Sequence, residues 1–347
     1  MRLLIVTQTL DLDDPILGFF HAWVIEFART VEQVHVICLY QGRVDLPPNV
    51  SVHSLGKERG GGSKLRYALR FLRLLVRLHG SYDRVFIHMN VEYLVLAGWW
   101  WKLHGIPAGL WYVHKAVTLR LRIAVAFARA VFSSSAESFR MATAKLQIVG
   151  HGIELGKYAY RPVPFTPLRL VTIGRISEAK RIKEMLDVCD QLVLRDVPFQ
   201  FSIYGAAVTP ADKIYLDELT QECNARSWRD HVRLHGPVAH SEVPAALAEE
   251  NVFLNLSRTG SMDKAILEAM AAGVLPVTTN EAFARILPEA CFVSDYSPAE
   301  VADRLARIYA APEAYRAQLR AHVQKEAQKH SLTSLISTLV HRLEEMS

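Results

Sequence analysis

Two stretches of this 347-residue chain set charged and small residues at spacings that can do chemistry. In Leu168-Arg-Leu-Val-Thr-Ile-Gly-Arg-Ile-Ser-Glu-Ala-Lys-Arg181, an apolar strand-like run ends in a turn at Gly174, and Arg175, Lys180 and Arg181 follow where a helix starts. A phosphate there would meet free backbone N–H groups, the positive end of the helix dipole and side-chain cations together. An ordinary strand-to-helix turn with solvated basic residues has the same local pattern. In the second stretch, Val252 to Val277, an apolar strand runs into a Gly-Ser turn at Gly260-Ser261, then into a short helix carrying Glu268, and through Gly273 into another strand. Glu268 is the one acid on an otherwise apolar helix face, where its two oxygens suit the hydroxyls of a sugar diol; a capped or solvated surface glutamate is the plainer use. Neither a G-x-G-x-x-G fingerprint nor a P-loop occurs, and Gly60-Gly-Gly-Ser-Lys64 lacks the P-loop spacing and reads as a flexible loop.

Short apolar or β-branched runs hold these stretches in place. They recur with helical patterns between them at Leu3–Thr7, Val34–Leu39, Val50–Leu55, Arg84–Met89, Gly109–Val113, Val131–Ser134 and Leu146–Val149. After the Pro-rich joint Arg161-Pro-Val-Pro-Phe-Thr-Pro167 the rhythm resumes at Leu168–Ile173, Phe199–Tyr204, His231–His235, Val252–Leu256, Leu275–Thr279 and Cys291–Ser294. Strands alternating with helices predict parallel sheets covered by helices. The expected class is therefore α/β, with two Rossmann-like parallel-sheet domains facing across a cleft and their functional residues just after strands. The expected boundaries are 1–160, 161–330 and a closing helix at 331–347.

Composition narrows the class further. At 50% hydrophobic and 22% charged residues the chain is neither disordered, collagen-like nor a disulfide scaffold. Its four cysteines, Cys38, Cys189, Cys223 and Cys291, have no paired spacing, which predicts small core residues in a reducing compartment and no metal site. The longest nearly uninterrupted apolar run, Tyr93–Trp101, is about half the ~20 residues a membrane-spanning helix needs. The opening run Arg2–Thr7 meets Asp11, Asp13 and Asp14 without a cleavage site, so a cytoplasmic location is expected. The net charge of +5 is uneven: residues 1–165 hold 20 Lys and Arg against 11 Asp and Glu, the remainder 20 against 24. A positive first domain favours anionic partners.

The arrangement of Gly174-Arg175 and Lys180, Ile203-Tyr-Gly205, Arg233-Leu-His-Gly236, and Leu267-Glu268-Ala-Met-Ala-Ala-Gly273 with Pro276-Val277 resembles the donor-binding domain of retaining GT-B glycosyltransferases, specifically glycosyltransferase family 4. The similarity is weak before residue 145 and strong from Val149-Gly-His-Gly-Ile153 to Thr279. It implies a retaining glycosyltransferase that moves a sugar from a nucleoside diphosphate sugar to a hydroxyl acceptor, lipid-linked or cell-surface glycan precursors being the class in view. Arg175 and Lys180 would hold the donor diphosphate, and Glu268 would accept from the nucleotide ribose. Gly18 matches the glycine turn after the first strand that faces the donor, Gly205 a turn of the donor domain, and His114 the strand-end histidine beside the donor sugar. The resemblance implies no cofactor beyond the donor and no metal. It also implies that the closing helix crosses back to the first domain.

One departure concerns the glutamate that the family carries eight positions before the ribose-binding one, for Gly260 stands there. The replacing segment, Thr259-Gly-Ser-Met-Asp-Lys264, offers Gly260 and Ser261 amides to a phosphate and Asp263 or Lys264 to the sugar. A subunit that binds sugar nucleotides without turnover, or scaffolds glycan assembly, is the alternative that Gly260 leaves open. In either case, cations beside a leaving diphosphate favour the charge-separated state of a breaking glycosyl phosphate.

Lys64–His79 sets Arg66, Arg70, Arg73 and Arg77 in one helical row. Leu65, Leu69, Leu72 and Val76 form one apolar stripe, and Phe71, Leu74, Leu75 and Leu78 another. With Trp99-Trp-Trp101 as a second anchor, 64–79 suits an anionic leaflet, which for a cytoplasmic protein is the inner face of the cell membrane. A helix buried between sheet and neighbour with one solvated arginine row, and a tryptophan cluster that belongs to the core, are the other readings. A nucleic-acid partner is not expected, because no aromatic platform is interleaved with the arginines.

Overall fold

The computed structural model describes all residues except Pro15, Arg258, Thr259 and Ser347. It divides into two compact units, Met1–Gly152 together with the chain from Leu332 onward, and Ile153–Ser331. The break falls at Gly152/Ile153, upstream of the Pro-rich joint used to place it in the sequence.

The first unit runs β1 (Arg2–Leu10), α1 (Phe19–Thr30), β2 (Gln33–Gln41), β3 (Val50–Ser54), α2 (Lys64–Arg77), β4 (Arg84–His88), α3 (Val91–Leu103), β5 (Ala108–Trp111), α4 (Leu119–Phe127), β6 (Ala130–Ser133) and β7 (Leu146–Ile148). All seven strands are parallel, in the order β3-β2-β1-β4-β5-β6-β7. Strands buried on both faces need continuous apolar runs, and Leu3, Leu4, Ile5 and Val6 are all fully buried. Alternate residues divide between two cores. Leu4, Val6, Val85 and Ile87 pack under α2, α3 and α4. Leu3, Ile5, Val34, Val36 and Phe86 pack with α1 and with the closing helix (Leu332–Glu344), whose Leu335, Ile336, Leu339 and Leu343 are buried there.

The second unit runs β8 (Leu168–Ile173), α5 (Ile182–Val193), β9 (Phe199–Tyr204), α6 (Pro210–Ala225), β10 (Val232–Gly236), α7 (Val243–Leu247), β11 (Val252–Asn255), α8 (Lys264–Ala271), β12 (Leu275–Thr278), α9 (Pro298–Ala310) and α10 (Glu313–Gln328); the closing helix is α11. Its parallel sheet has the order β10-β9-β8-β11-β12. The strand expected at Cys291–Ser294 is not one. Glu289–Cys291 closes a 3-10 turn after Pro288, and a single bridge joins Phe292 to Thr278. The burial of Cys291 and Val293 gives that stretch its strand-like sequence.

The order of the second sheet positions the site. From β8 the chain steps outward through β9 and β10, then returns to the other side of β8 as β11. The loops leaving β8 and β11 therefore diverge at a reversal of strand order, which is where open parallel sheets leave room for a ligand.

Candidate functional site

The loop after β8 is shaped by two glycines. Gly174 has φ +155°, and a Cβ there would stand 3.2 Å from Lys180 Cε. At Gly205, which follows β9, an added Cβ would fall 1.9 Å from the Gly174 carbonyl oxygen. Only glycine permits this crossing, which lets the chain turn from β8 into the 3-10 turn Glu178–Lys180.

Lys180 reaches across the reversal and pairs with Asp263. Asp263 caps α8, its Oδ1 accepting from the Ala265 N–H at 3.2 Å, and its Oδ2 also accepts from Asn255 Nδ2 at 3.1 Å. Burial pushes the Asp263 carboxyl up, yet the charge and hydrogen bond of Lys180, with the Ala265 and Asn255 donors, hold it below the ordinary value. One residue on, Lys264 Nζ lies 3.1 Å from Glu268 Oε1 and 2.9 Å from His240 Nε2, and His240 Nε2 lies 3.1 Å from the same Glu268 oxygen. Glu268 is 5% exposed. Burial raises its pKa, but the charge of Lys264 and the contacts of His240 outweigh that and draw it down to about 2, so it is a carboxylate. Burial pushes Lys264 the other way, downward, against the pull of Glu268. The buried Tyr158 hydroxyl stands beside Glu268, and burial and that negative charge hold its pKa well above the ordinary phenol value.

Lys180, Asp263, Lys264 and Glu268 thus meet along the first turns of α8, although Lys180 and Glu268 are 88 residues apart in sequence. Arg175 turns elsewhere. Its Nε and Nη2 form a two-pronged ion pair with Asp212, at 2.9 and 3.1 Å, and hold that carboxyl below the usual carboxylate range. Asp212 belongs to the Thr209–Asp212 capping box that starts α6. Gly260 is left-handed at φ +67°, a conformation glycine adopts without strain, and the Ser261 carbonyl accepts from Asn280 Nδ2 at 2.9 Å. Thr259, the first residue of the segment that replaces the missing glutamate, lies outside the described residues.

In the first unit, Gly18 caps α1, its N–H donating to the Asp14 carbonyl at 3.0 Å; an added Cβ would stand 2.6 Å from that oxygen. His114 is exposed in the loop after β5, and its Nδ1 accepts from the Ala116 N–H at 3.0 Å. The helix expected at 64–79 forms as α2. Of its two apolar stripes, Phe71, Leu75 and Leu78 are buried, with Leu74 half-buried beside them, while Leu65, Leu69 and Val76 face solvent. Trp101 is buried with Nε1 donating to Tyr82, and Trp100 is half-buried against His104, so of the three tryptophans Trp99 alone is exposed.

Sequence reasoning missed His240, Tyr158, Asn255 and Asp212. The capping-box spacing Thr209–Asp212 was a readable signal for the last. His240 lies in an irregular segment and carries no local signal, because its partner is 28 residues away.

Two parallel-sheet units of this topology are the architecture of GT-B glycosyltransferases. Residues 167–311 match the family described as Glycosyl transferases group 1. The chain is 29% identical over 143 residues to the candidate colanic acid biosynthesis glycosyltransferase WcaL of Escherichia coli (strain K12), a match covering 39% of this chain and 34% of that protein. It is 24% identical over 224 residues to a GDP-mannose:cellobiosyl-diphosphopolyprenol alpha-mannosyltransferase of Xanthomonas campestris, covering 59% and 56%. The matched part thus spans between about a third and about half of these relatives' length. Among solved structures, Anabaena Alr3699/HepE in complex with UDP-glucose superposes with a TM-score of 0.75 over 99% of both chains, at 15% identity.

Proposed function

We propose that the protein is a retaining glycosyltransferase that takes a sugar from a nucleoside diphosphate sugar and places it on a hydroxyl of a lipid-linked or cell-surface glycan precursor, working in the cytoplasm at a membrane surface. The observation that carries this reading is the meeting of Lys180 with the first turns of α8, where a buried, ionised Glu268 stands one turn beyond the capping Asp263. A carboxylate held in that state accepts hydrogen bonds from a ribose diol. The start of α8, beside Lys180, supplies amide donors and positive charge for a diphosphate. As the glycosyl phosphate bond breaks, negative charge grows on the diphosphate and positive charge on the sugar ring, and fixed dipoles and cations favour that separation. In this reading the acceptor hydroxyl attacks on the face the diphosphate leaves, and the departing phosphate takes its proton. Three of the comparisons support the class: the family match, the polyprenol-linked substrate in the name of the Xanthomonas relative, and the UDP-glucose of the Anabaena structure.

The acids that pair with the cations sharpen the roles. Arg175 is held by Asp212 and Lys180 by Asp263, so both cations are fixed in place before a donor arrives. Lys180 and Arg175 are the diphosphate contacts of this reading, and Arg175 also anchors the turn after β8 to α6. In the first unit, the resemblance assigns Gly18 and His114 to donor binding, His114 beside the sugar.

A panel of nucleoside diphosphate sugars tests this by thermal shift and by release of nucleoside diphosphate. A donor that raises the melting temperature and is turned over is the expected result, with Lys180→Ala abolishing release and Glu268→Ala weakening donor binding. Binding without release from every donor would favour a sugar-nucleotide-binding subunit in its place, the reading that Gly260 keeps open.

A further inference from the structure

The outward stripes of three neighbouring helices in the first unit carry apolar residues where a solvated layer would carry polar ones. α2, α3 and α4 pack side by side over one face of the sheet, with Phe71 of α2 4.8 Å from Tyr93 of α3 between ring centres. On their far side, α2 exposes Leu65 (69%), Leu69 and Val76 (61%); α3 exposes Leu96, Trp99 and Leu103 (75%), spaced three and four residues apart; and α4 exposes Leu119 (72%) and Ile123. These three helices hold eight Lys or Arg residues, Lys64, Arg66, Arg70, Arg73, Arg77, Lys102, Arg120 and Arg122, against a single acid, Glu92. Glu92 is itself paired with Arg120 at 3.4 Å.

We infer that this whole helical layer, and not α2 alone, is a docking face for the surface of an anionic lipid bilayer. Two features select that occupant. Aliphatic side chains flanked by arginine and lysine match the boundary between acyl chains and negatively charged headgroups, where the apolar tips enter and the cations remain at the phosphates. Trp99 is the amphipathic ring that such a boundary favours. Nucleic acid would be met by the same charges but would leave eight exposed apolar side chains against a polar backbone. The face also runs up to the proposed sugar end of its own unit, because α4 begins five residues after His114 and the intervening Val117 is exposed. A lipid-borne acceptor head would then emerge beside that loop. This last point rests on the function proposed above; the docking face itself does not.

Co-sedimentation of the 347-residue chain with vesicles tests the inference, using phosphatidylcholine alone and phosphatidylcholine with phosphatidylglycerol. The expected result is recovery with the anionic vesicles, little with the neutral ones, and release at high salt. Leu65→Ser, Val76→Ser, Leu103→Ser and Leu119→Ser combined should lower partitioning by about tenfold or more while leaving the melting temperature in place, because all four side chains are already in water. Arg66→Gln, Arg73→Gln and Arg77→Gln combined should remove the preference for anionic vesicles. Equal recovery in the supernatant, undiminished binding by the four-serine variant, or tighter retention on nucleic acid than on vesicles would each overturn the inference. Vesicle binding by a protein that turns over no donor would leave the docking face standing and count against the enzymatic reading alone.

Discussion

Glu268 is ionised in a place that excludes water, and that state depends on Lys264 and His240. Removing one partner of a buried pair leaves the other charge uncompensated, at a cost of ~3–5 kcal/mol, whereas replacing both by apolar groups of similar volume is often neutral. Glu268→Ala should therefore lower the denaturation midpoint strongly, and Lys264→Met together with Glu268→Leu should restore most of it. A urea titration of the two variants checks this. The pH dependence follows from the same pair. The carboxyl titrates near 4.5 in the unfolded chain and at about 2 in the folded one, so above about pH 4.5 its contribution is complete. Between pH 4.5 and 2 the unfolded chain binds the proton first, and stability falls as pH falls. Glu268→Gln should flatten the acid limb of stability against pH in that window. At Gly205 the constraint is steric. Gly205→Ala would drive a methyl group into the Gly174 carbonyl, and a loss of ~1–3 kcal/mol is expected, read as a lowered urea midpoint.

At the scale of the element, α8 has only eight residues, and its buried positions, Ile266, Leu267, Ala269 and Met270, pack it onto the sheet while Asp263, Lys264 and Ala265 at its start are half-buried. Asp263 both caps it and anchors Lys180, and two substitutions separate those functions. Asp263→Asn keeps a side-chain oxygen for the Ala265 N–H and puts an amide in place of the charged oxygen that faces Lys180 and accepts from Asn255. Asp263→Ala loses both, so it should be less stable than the asparagine variant by ~1 kcal/mol, the usual worth of an N-cap, in thermal or urea denaturation. This helix was legible in the sequence because its small apolar residues and lone acid repeat at helical spacing. Its clamp was not, since His240 and Tyr158 arrive from loops whose sequences carry no periodicity. α2 was legible in more detail: of its two apolar stripes at helical spacing, one faces the core and the other faces water at Leu65, Leu69 and Val76, while Leu72 of that stripe packs partly against the core. Trp99-Trp-Trp101 reads as one cluster in sequence, but three consecutive helical positions span most of a turn, so two of the rings point inward or sideways.

On the scale of the whole molecule, the chain closes its first unit with its last helix. Leu332, Leu335, Ile336, Leu339 and Leu343 of α11 are buried with α1 and β1. At ~1.5–3 kcal/mol for each fully buried aliphatic side chain, five of them rival the ~5–15 kcal/mol that holds an ordinary domain folded. Deletion of residues 332–347 should thus unfold the first unit, at the opposite end of the sequence, and spare the second. Hydrogen exchange would show this as lost protection in β1 to β6 with protection retained in β8 to β12. Five of the six tryptophans, all but Trp228, belong to the first unit, so their fluorescence should report the same loss.

By itself the sequence determined the α/β class, the two successive runs of strands and the residues after β8 and on α8, because strand and helix periodicities and glycine turns are local properties of the chain. It also marked Cys291–Ser294 as a strand, since burial alone produces an apolar run whether or not a ladder forms. Only the tertiary structure decided which charges meet. Lys180 pairs with Asp263 because β8 and β11 are neighbours at the reversal of strand order, Arg175 is drawn to Asp212 by the start of α6, and His240 reaches Glu268 from an irregular loop. Ion pairs are set by distances of a few ångströms between points far apart along the chain, and no spacing of residue types encodes those distances.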